Sequence, residues 1–243
     1  MSADGHHLNL LLLSSGAGRD GEFLRYAADS VQRVLGAGIE TVLFVPFASV
    51  LRSYDDVTAV VRQGFLNMLY DVKGVHCESN ARKAIENADA VVVGGGNTFQ
   101  LLHVLRELDL VRPLTERIRR GLPYVGWSAG ANIVAPTIGT TNDMPIADGA
   151  GLAALGVVPF QINPHYTDGR PAGEPGESRA ERLAEYCELH PDTNVVAMRD
   201  GAMLRVDGEV ITVEGTSAIS VFRKGRMPVE YRPGDSLPLL LAP

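Results

Sequence analysis

Uninterrupted apolar runs alternate with stretches of helical spacing along most of the chain. The run 8–13 ends in Ser14-Ser15-Gly16 and suits a strand buried on both faces. Similar runs predict strands over 41–45, 90–93 and 123–125, with a weaker one over 74–77. Apolar positions three and four apart predict helices over 21–35, 55–70, 81–87, 99–108 and 111–120. Strand and helix alternate without two-residue hairpin signals, so the expected fold class is α/β, a mostly parallel sheet with helices on both faces.

The pattern changes after residue 136. A loop of small polar residues, 137–151, precedes a strand over 157–162 and the turn Asn163-Pro164-His165-Tyr166. A Gly/Pro-rich loop over 167–176 suggests a lid. Ser178 and Glu181 then form a capping box for a helix over 179–190. Short strands over 194–198, 202–206, 209–213 and 217–222 are separated by Asp200-Gly201 and Asp207-Gly208, a hairpin signature. They predict an antiparallel C-terminal edge on the same single domain, 1–243, followed by an irregular Pro-rich tail.

Composition narrows the partners. With 22 basic and 29 acidic residues the net charge is −7, and no block of like charge stands out. That balance argues against a nucleic-acid or anionic-membrane surface. The apolar run 8–13 is too short to span a membrane, and no secretion pattern accompanies it, so a cytoplasmic location is expected. Cys77 and Cys187 have neither metal-ligand spacing nor a disulfide framework and read as reduced core or near-core thiols.

The candidate chemistry centres on Gly126-Trp127-Ser128-Ala129-Gly130, a G-x-S-x-G turn between the strand over 123–125 and a short helix over 129–135 stopped by Pro136. Such a turn raises a serine hydroxyl above the sheet and aims the next amide, that of Ala129, at a developing oxyanion. A serine needs a base, and the base needs an orienting group. His6 and His7 belong to the terminus, and His76, His103 and His190 fall on strand or helix positions. His165 alone follows a strand in a turn fixed by proline. Spacing leaves the acid open between Asp200, in an Asp-Gly turn, and Asp143, in the polar loop. Gly94-Gly95-Gly96-Asn97 opens the helix over 99–108 and reads either as an anion-binding set of amides or as a tight turn. Arg179 starts a capped helix just after the His165 loop, where a guanidinium and helix-terminal amides suit a carboxylate.

The segments 94–102, 126–132, 140–146 and 159–166, in this order, resemble the S51 family of serine peptidases, the α-aspartyl dipeptidases. The resemblance covers nearly the whole chain. It implies a flavodoxin-like or class I glutamine amidotransferase-like fold and cleavage of dipeptides with N-terminal aspartate, with no cofactor or metal. It also implies Ser128 as nucleophile, His165 as base and Asp200 as the third triad member. Asp143 is then a further essential acid, and Gly96 and Ala129 supply the oxyanion amides. Arg179, with Asn97 and Asp143, would bind the substrate. Enterobacterial members usually carry glutamate where this chain has Asp200, so the shorter side chain demands a closer backbone. Two rivals remain: a related hydrolase of another acidic substrate, such as a cyanophycin-type polymer or an acylated amino acid, and a flavodoxin-like anion-binding module without turnover. The expected partner is a small dipeptide, and the chain is expected to be a monomer or homodimer.

Overall fold

The computed structural model describes residues 7–18, 21–148, 151–169 and 176–240. His6, residues 149–150 of the polar loop and residues 170–175 of the expected lid lie outside these. Two sheets organise the chain. The larger has seven strands in the order β3-β2-β4-β5-β1-β8-β9. Its parallel part is β1 (Asn9–Leu13), β2 (Thr41–Val45), β3 (Asp71–Gly74), β4 (Val91–Val93) and β5 (Tyr124–Trp127). The hairpin β8 (Ala202–Asp207) and β9 (Val210–Gly215) adds antiparallel to β1. The fold class expected from the sequence is thus observed.

Burial explains the apolar runs. Leu11 and Leu13 of β1 pack beneath α1 (Ala28–Leu35) and α2 (Tyr54–Leu66), with Val31, Val34, Val61 and Phe65. Leu10 and Leu12 face the other side, toward α3 (Ala81–Asn87), α4 (Thr98–Glu107) and α5 (Val111–Arg119). All four leucines are fully buried, so period-two alternation cannot appear in this strand.

The expected antiparallel hairpin edge is present as β8–β9, but the strands expected over 194–198 and 217–222, instead of joining it, form a second sheet. Its four strands run β11-β10-β7-β6, comprising β6 (Gln161–Asn163), β7 (Val195–Met198), β10 (Ile219–Phe222) and β11 (Val229–Tyr231). Asp200-Gly201 therefore joins two sheets and closes no hairpin, whereas the Asp207-Gly208 turn does join paired strands. The helix α7 (Arg179–Leu189) covers the second sheet through Leu183 and Cys187 against Val195, Ala197 and Phe222. β11 lies within the tail expected to be irregular.

Other boundaries shift for local reasons. Residues 21–24 are not helical, because Phe23 turns inward to pack edge-on against Trp127 at 5.4 Å. The weak strand is observed at β3, and 75–77 form a 3-10 turn, so His76 is on neither a strand nor a helix face. The α2 helix ends at Leu66, and the helix after Ser128, α6 (Ala129–Asn132), is shorter than expected. Val157 and Val158 are not in β6, since both their amides donate to the carbonyl of Val134 beyond the end of α6. Cys187 is buried but Cys77 is exposed, so only one of the two expected core or near-core thiols is in the core. Among the described residues no helix is long and apolar enough to cross a membrane.

Candidate active site

The serine turn has the geometry its glycines allow. Ser128 sits between β5 and α6 with φ 54° and ψ −114°, a left-handed conformation that costs a residue with a side chain about 1–3 kcal/mol. A β-carbon on Gly130 would collide with the Val93 carbonyl, and one on Gly126 with the Gly130 carbonyl. The strained turn is held by Ser128 N–H donating to Leu13 O at 3.1 Å and by Asn132 N–H donating to Ser128 O at 2.9 Å. Ala129 and Gly130 carry the first amides of α6, which have no acceptor within the helix.

His165 Nε2 lies 2.8 Å from Ser128 Oγ, and His165 Nδ1 lies 2.7 Å from Asp200 Oδ1. The two sheets converge to allow this. Ser128 follows β5 of the larger sheet, His165 follows β6 of the smaller, and Asp200 lies on the crossing between β7 and β8. The fully buried Asn132 of α6 donates to Ile162 O at 2.6 Å, tying the serine helix to the histidine strand. His165 is itself left-handed, with φ 56°. Tyr166 N–H donating to Met198 O at 2.9 Å and Asn142 Nδ2 donating to Pro164 O at 2.7 Å fix the chain on either side.

Electrostatics follow the hydrogen bonds. The bond from His165 lowers the Asp200 carboxyl below its ordinary range, against opposition from partial burial. The charge on His165, a bond from Ser14 and the nearby Arg179 guanidinium act in the same direction. Sequence reasoning passed over Ser14. Its buried hydroxyl accepts His165 N–H at 2.8 Å and lies 3.0 Å from Asp200 Oδ1 and 2.9 Å from Met198 O, either of which can take its proton. The available signal was a polar residue closing the buried leucine run of β1, the strand beside the serine strand.

Asp143 is elsewhere. Its Oδ2 accepts from Thr98 N–H at 2.7 Å, from Thr98 Oγ at 2.6 Å and from Thr141 Oγ at 3.1 Å, at the N-terminus of α4. Of the two candidate acids, Asp200 is the one in contact with the histidine ring. Asn97 spends its side chain on structure, capping α4 by accepting from Gln100 N–H at 3.0 Å and donating to Met144 O at 2.9 Å. Gly96, at φ 139°, lies against Ala48, and a β-carbon on Gly95 would come within 3.0 Å of Ser128 Cβ. The glycine turn therefore abuts the serine.

A cleft of about 650 Å³ opens beside this cluster, lined by Asn142, Asp143, Asn163, Thr167 and Arg179 among others. Ser128, His165 and Asp200 do not line it, but Asn163 and Thr167, which bracket His165 in sequence, do. Arg179 follows Ser178, whose reciprocal capping box with Glu181 matches the sequence pattern. Its Nη1 is buried without a hydrogen-bond partner among the described residues, and burial lowers the guanidinium's proton affinity, with Arg182 adding to the effect and Asp200 opposing it. A buried donor of this kind calls for an acceptor.

A mostly parallel α/β sheet carrying this relay is the framework of a hydrolase. Within that class the chain belongs to peptidase family S51, which matches residues 10–214. It is 40% identical over 232 residues to Peptidase E of Nostoc sp. (strain PCC 7120 / SAG 25.82 / UTEX 2576), covering 96% of each chain. It is also 40% identical over 227 residues to Peptidase E of Escherichia coli O6:K15:H31 (strain 536 / UPEC), covering 93% of this chain and 99% of that one. A crystal structure of a peptidase from an acI-B1 Actinobacterium shares the fold with a TM-score of 0.71 at 18% identity, covering 98% and 99% of the two chains. The chain is a peptidase.

Proposed function

We propose that this peptidase is a serine-type dipeptidase that removes N-terminal aspartate from Asp-Xaa dipeptides in the cytoplasm. The observation that carries the reading is the unbroken relay from Asp200 through His165 to Ser128, at 2.7 and 2.8 Å, beside a cleft holding an unpartnered arginine donor. In this reading Ser128 Oγ attacks the aspartyl carbonyl while His165 Nε2 takes its proton. Asp200 stabilises the imidazolium and holds its tautomer. The amides of Ala129 and Gly96 receive the developing oxyanion. His165 then gives the proton to the leaving amine, and water hydrolyses the aspartyl-enzyme by the same route.

Arg179 supplies the substrate selectivity by binding the aspartate side chain, a bidentate partner for a guanidinium. Asp143 Oδ1 makes no hydrogen bond among the described residues while Oδ2 caps α4, so it can meet the substrate's α-ammonium. Asn97 acts through the α4 cap and not as a direct ligand.

The test is a substrate panel on purified protein: Asp-Leu, Glu-Leu, N-acetyl-Asp-Leu and β-linked Asp-Leu. Cleavage of Asp-Leu alone is expected. Preference for the acylated or β-linked compound would favour the rival hydrolase, and no turnover of any would favour the binding module.

A further inference from the structure

Away from the serine, three side chains from two elements bring a carboxylate, an imidazole and a thiol together. Asp55 lies in the first turn of α2, and His76 and Cys77 lie in the 3-10 turn after β3. His76 Nε2 is 2.9 Å from Asp55 Oδ1 and 3.3 Å from Cys77 Sγ, and the sulfur is 3.8 Å from the same oxygen. This is the cluster of three metal-ligating side chains found among the described residues. Ligand spacing could not reveal it from sequence, because Asp55 is 21 positions from His76.

The three separations match a face of a tetrahedron around zinc. With Zn–S about 2.3 Å, Zn–N about 2.05 Å and Zn–O about 2.0 Å, tetrahedral angles give edges of about 3.6 Å for N–S, 3.5 Å for O–S and 3.3 Å for N–O. Each observed edge lies within about 0.4 Å of its counterpart. Without a metal, the His76 Nε2–H and the Cys77 thiol both converge on Asp55 Oδ1, so the three ligand atoms already face a common point that a dication could occupy.

The imidazole is also held in place. A β-carbon on Gly74 would collide with its Cε1, so the ring lies in a space that only glycine leaves. Tyr54 packs edge-on against it at 5.5 Å, and Phe47 packs against Tyr54 at 5.4 Å. Nδ1 is buried without a hydrogen-bond partner among the described residues, so the ring meets polar neighbours through Nε2. Asp55 and Cys77 are exposed, so the open side of the triangle faces solvent and leaves a fourth position for water.

We propose that Asp55, His76 and Cys77 form a binding site for one zinc ion, with water as fourth ligand, that staples the start of α2 to the turn after β3. Binding replaces the Cys77 thiol proton, which leaves to solvent, and uses neutral His76 and ionised Asp55. The site is structural and independent of the peptidase reaction.

The experiment uses the full chain, stripped with a chelator and titrated with Zn²⁺ against a chromogenic competitor, and with Co²⁺ as a spectroscopic probe. One equivalent of zinc should bind, and Co²⁺ should show thiolate charge-transfer absorption with intense tetrahedral bands. In Cys77→Ser the charge-transfer band should vanish. Zinc affinity should fall in Cys77→Ser and in His76→Ala by more than the ~10–100-fold that outer-shell partners cost. Asp55→Asn provides a third variant at an exposed position if His76→Ala fails to fold. Zinc should also raise the thermal midpoint of the wild type and leave that of Cys77→Ser unchanged. Absence of stoichiometric binding would overturn the proposal. So would binding equally tight in Cys77→Ser, which would place the ion elsewhere, such as on the His6-His7 pair, or a cobalt spectrum without thiolate character.

Discussion

Ser14 Oγ accepts the backbone N–H of His165 at 2.8 Å across 151 positions of sequence. The contact joins the end of β1 to the turn after β6, and the same oxygen is 3.0 Å from Asp200 Oδ1. Histidine and acid are thus both referenced to the strand beside the serine strand. That contact also helps to hold His165 at φ 56°, a conformation an isolated histidine avoids.

Ser14→Ala should therefore act on catalysis through His165. Deleting one buried hydroxyl removes an acceptor from a backbone N–H and a bond beside a carboxylate, worth about 1.5–3 kcal/mol. If that loss falls on the transition state, kcat drops by roughly 10- to 150-fold with KM little changed. A uniform loss of folded protein without a change in kcat per folded molecule would show a structural role alone.

The same carboxyl predicts a pH dependence of stability. Asp200 is lowered in the folded state, chiefly by its bond with His165, so the folded chain binds fewer protons there than the unfolded chain. Its contribution is present above about pH 4 and is lost as pH falls through the folded value. Thermal midpoints of wild type and Asp200→Asn should differ most near neutrality and converge in acid. A gap that widens as pH falls below about 4 would contradict a lowered Asp200 carboxyl.

Arg179 separates binding from folding. Its Nη1 has no partner, so Arg179→Met should leave the thermal midpoint unchanged or slightly raised. Activity on Asp-Leu should nonetheless fall about 30-fold or more in kcat/KM, the scale of about 2–5 kcal/mol for an unpaired buried charge. Any turnover of Asn-Leu should suffer much less. Equal losses on both would mean that the arginine supports the cleft and does not read the aspartate.

How much of this was legible depends on whether the signal is local. The Leu10–Leu13 run, β2 over 41–45, α3 over 81–87 and the Ser178–Glu181 capping box are short-range patterns, and the fold keeps them. The Ser128 turn is equally local, since its glycines are needed by atoms of the turn and of the adjacent strand. Asp200-Gly201 misled because a crossing between sheets and a hairpin use the same turn residues. Gly201, at φ 88°, supplies either. β11 is short, half-exposed and at a sheet edge, so Val229-Glu230-Tyr231 carries little patterning of its own. Ser14, the Arg179 orphan donor and the Asp55–His76–Cys77 cluster depend on contacts between distant segments, and no spacing rule reaches them.

The central claim is that Ser128 is the nucleophile driven by His165 and Asp200. The most direct measurement is single-preparation turnover of Asp-Leu by Ser128→Ala beside wild type, with the thermal midpoint of each recorded to establish folding. Removing one oxygen should leave the fold intact and lower kcat by about 10³-fold or more, with residual activity from the oxyanion amides. Turnover by a folded Ser128→Ala protein close to that of wild type would contradict the account.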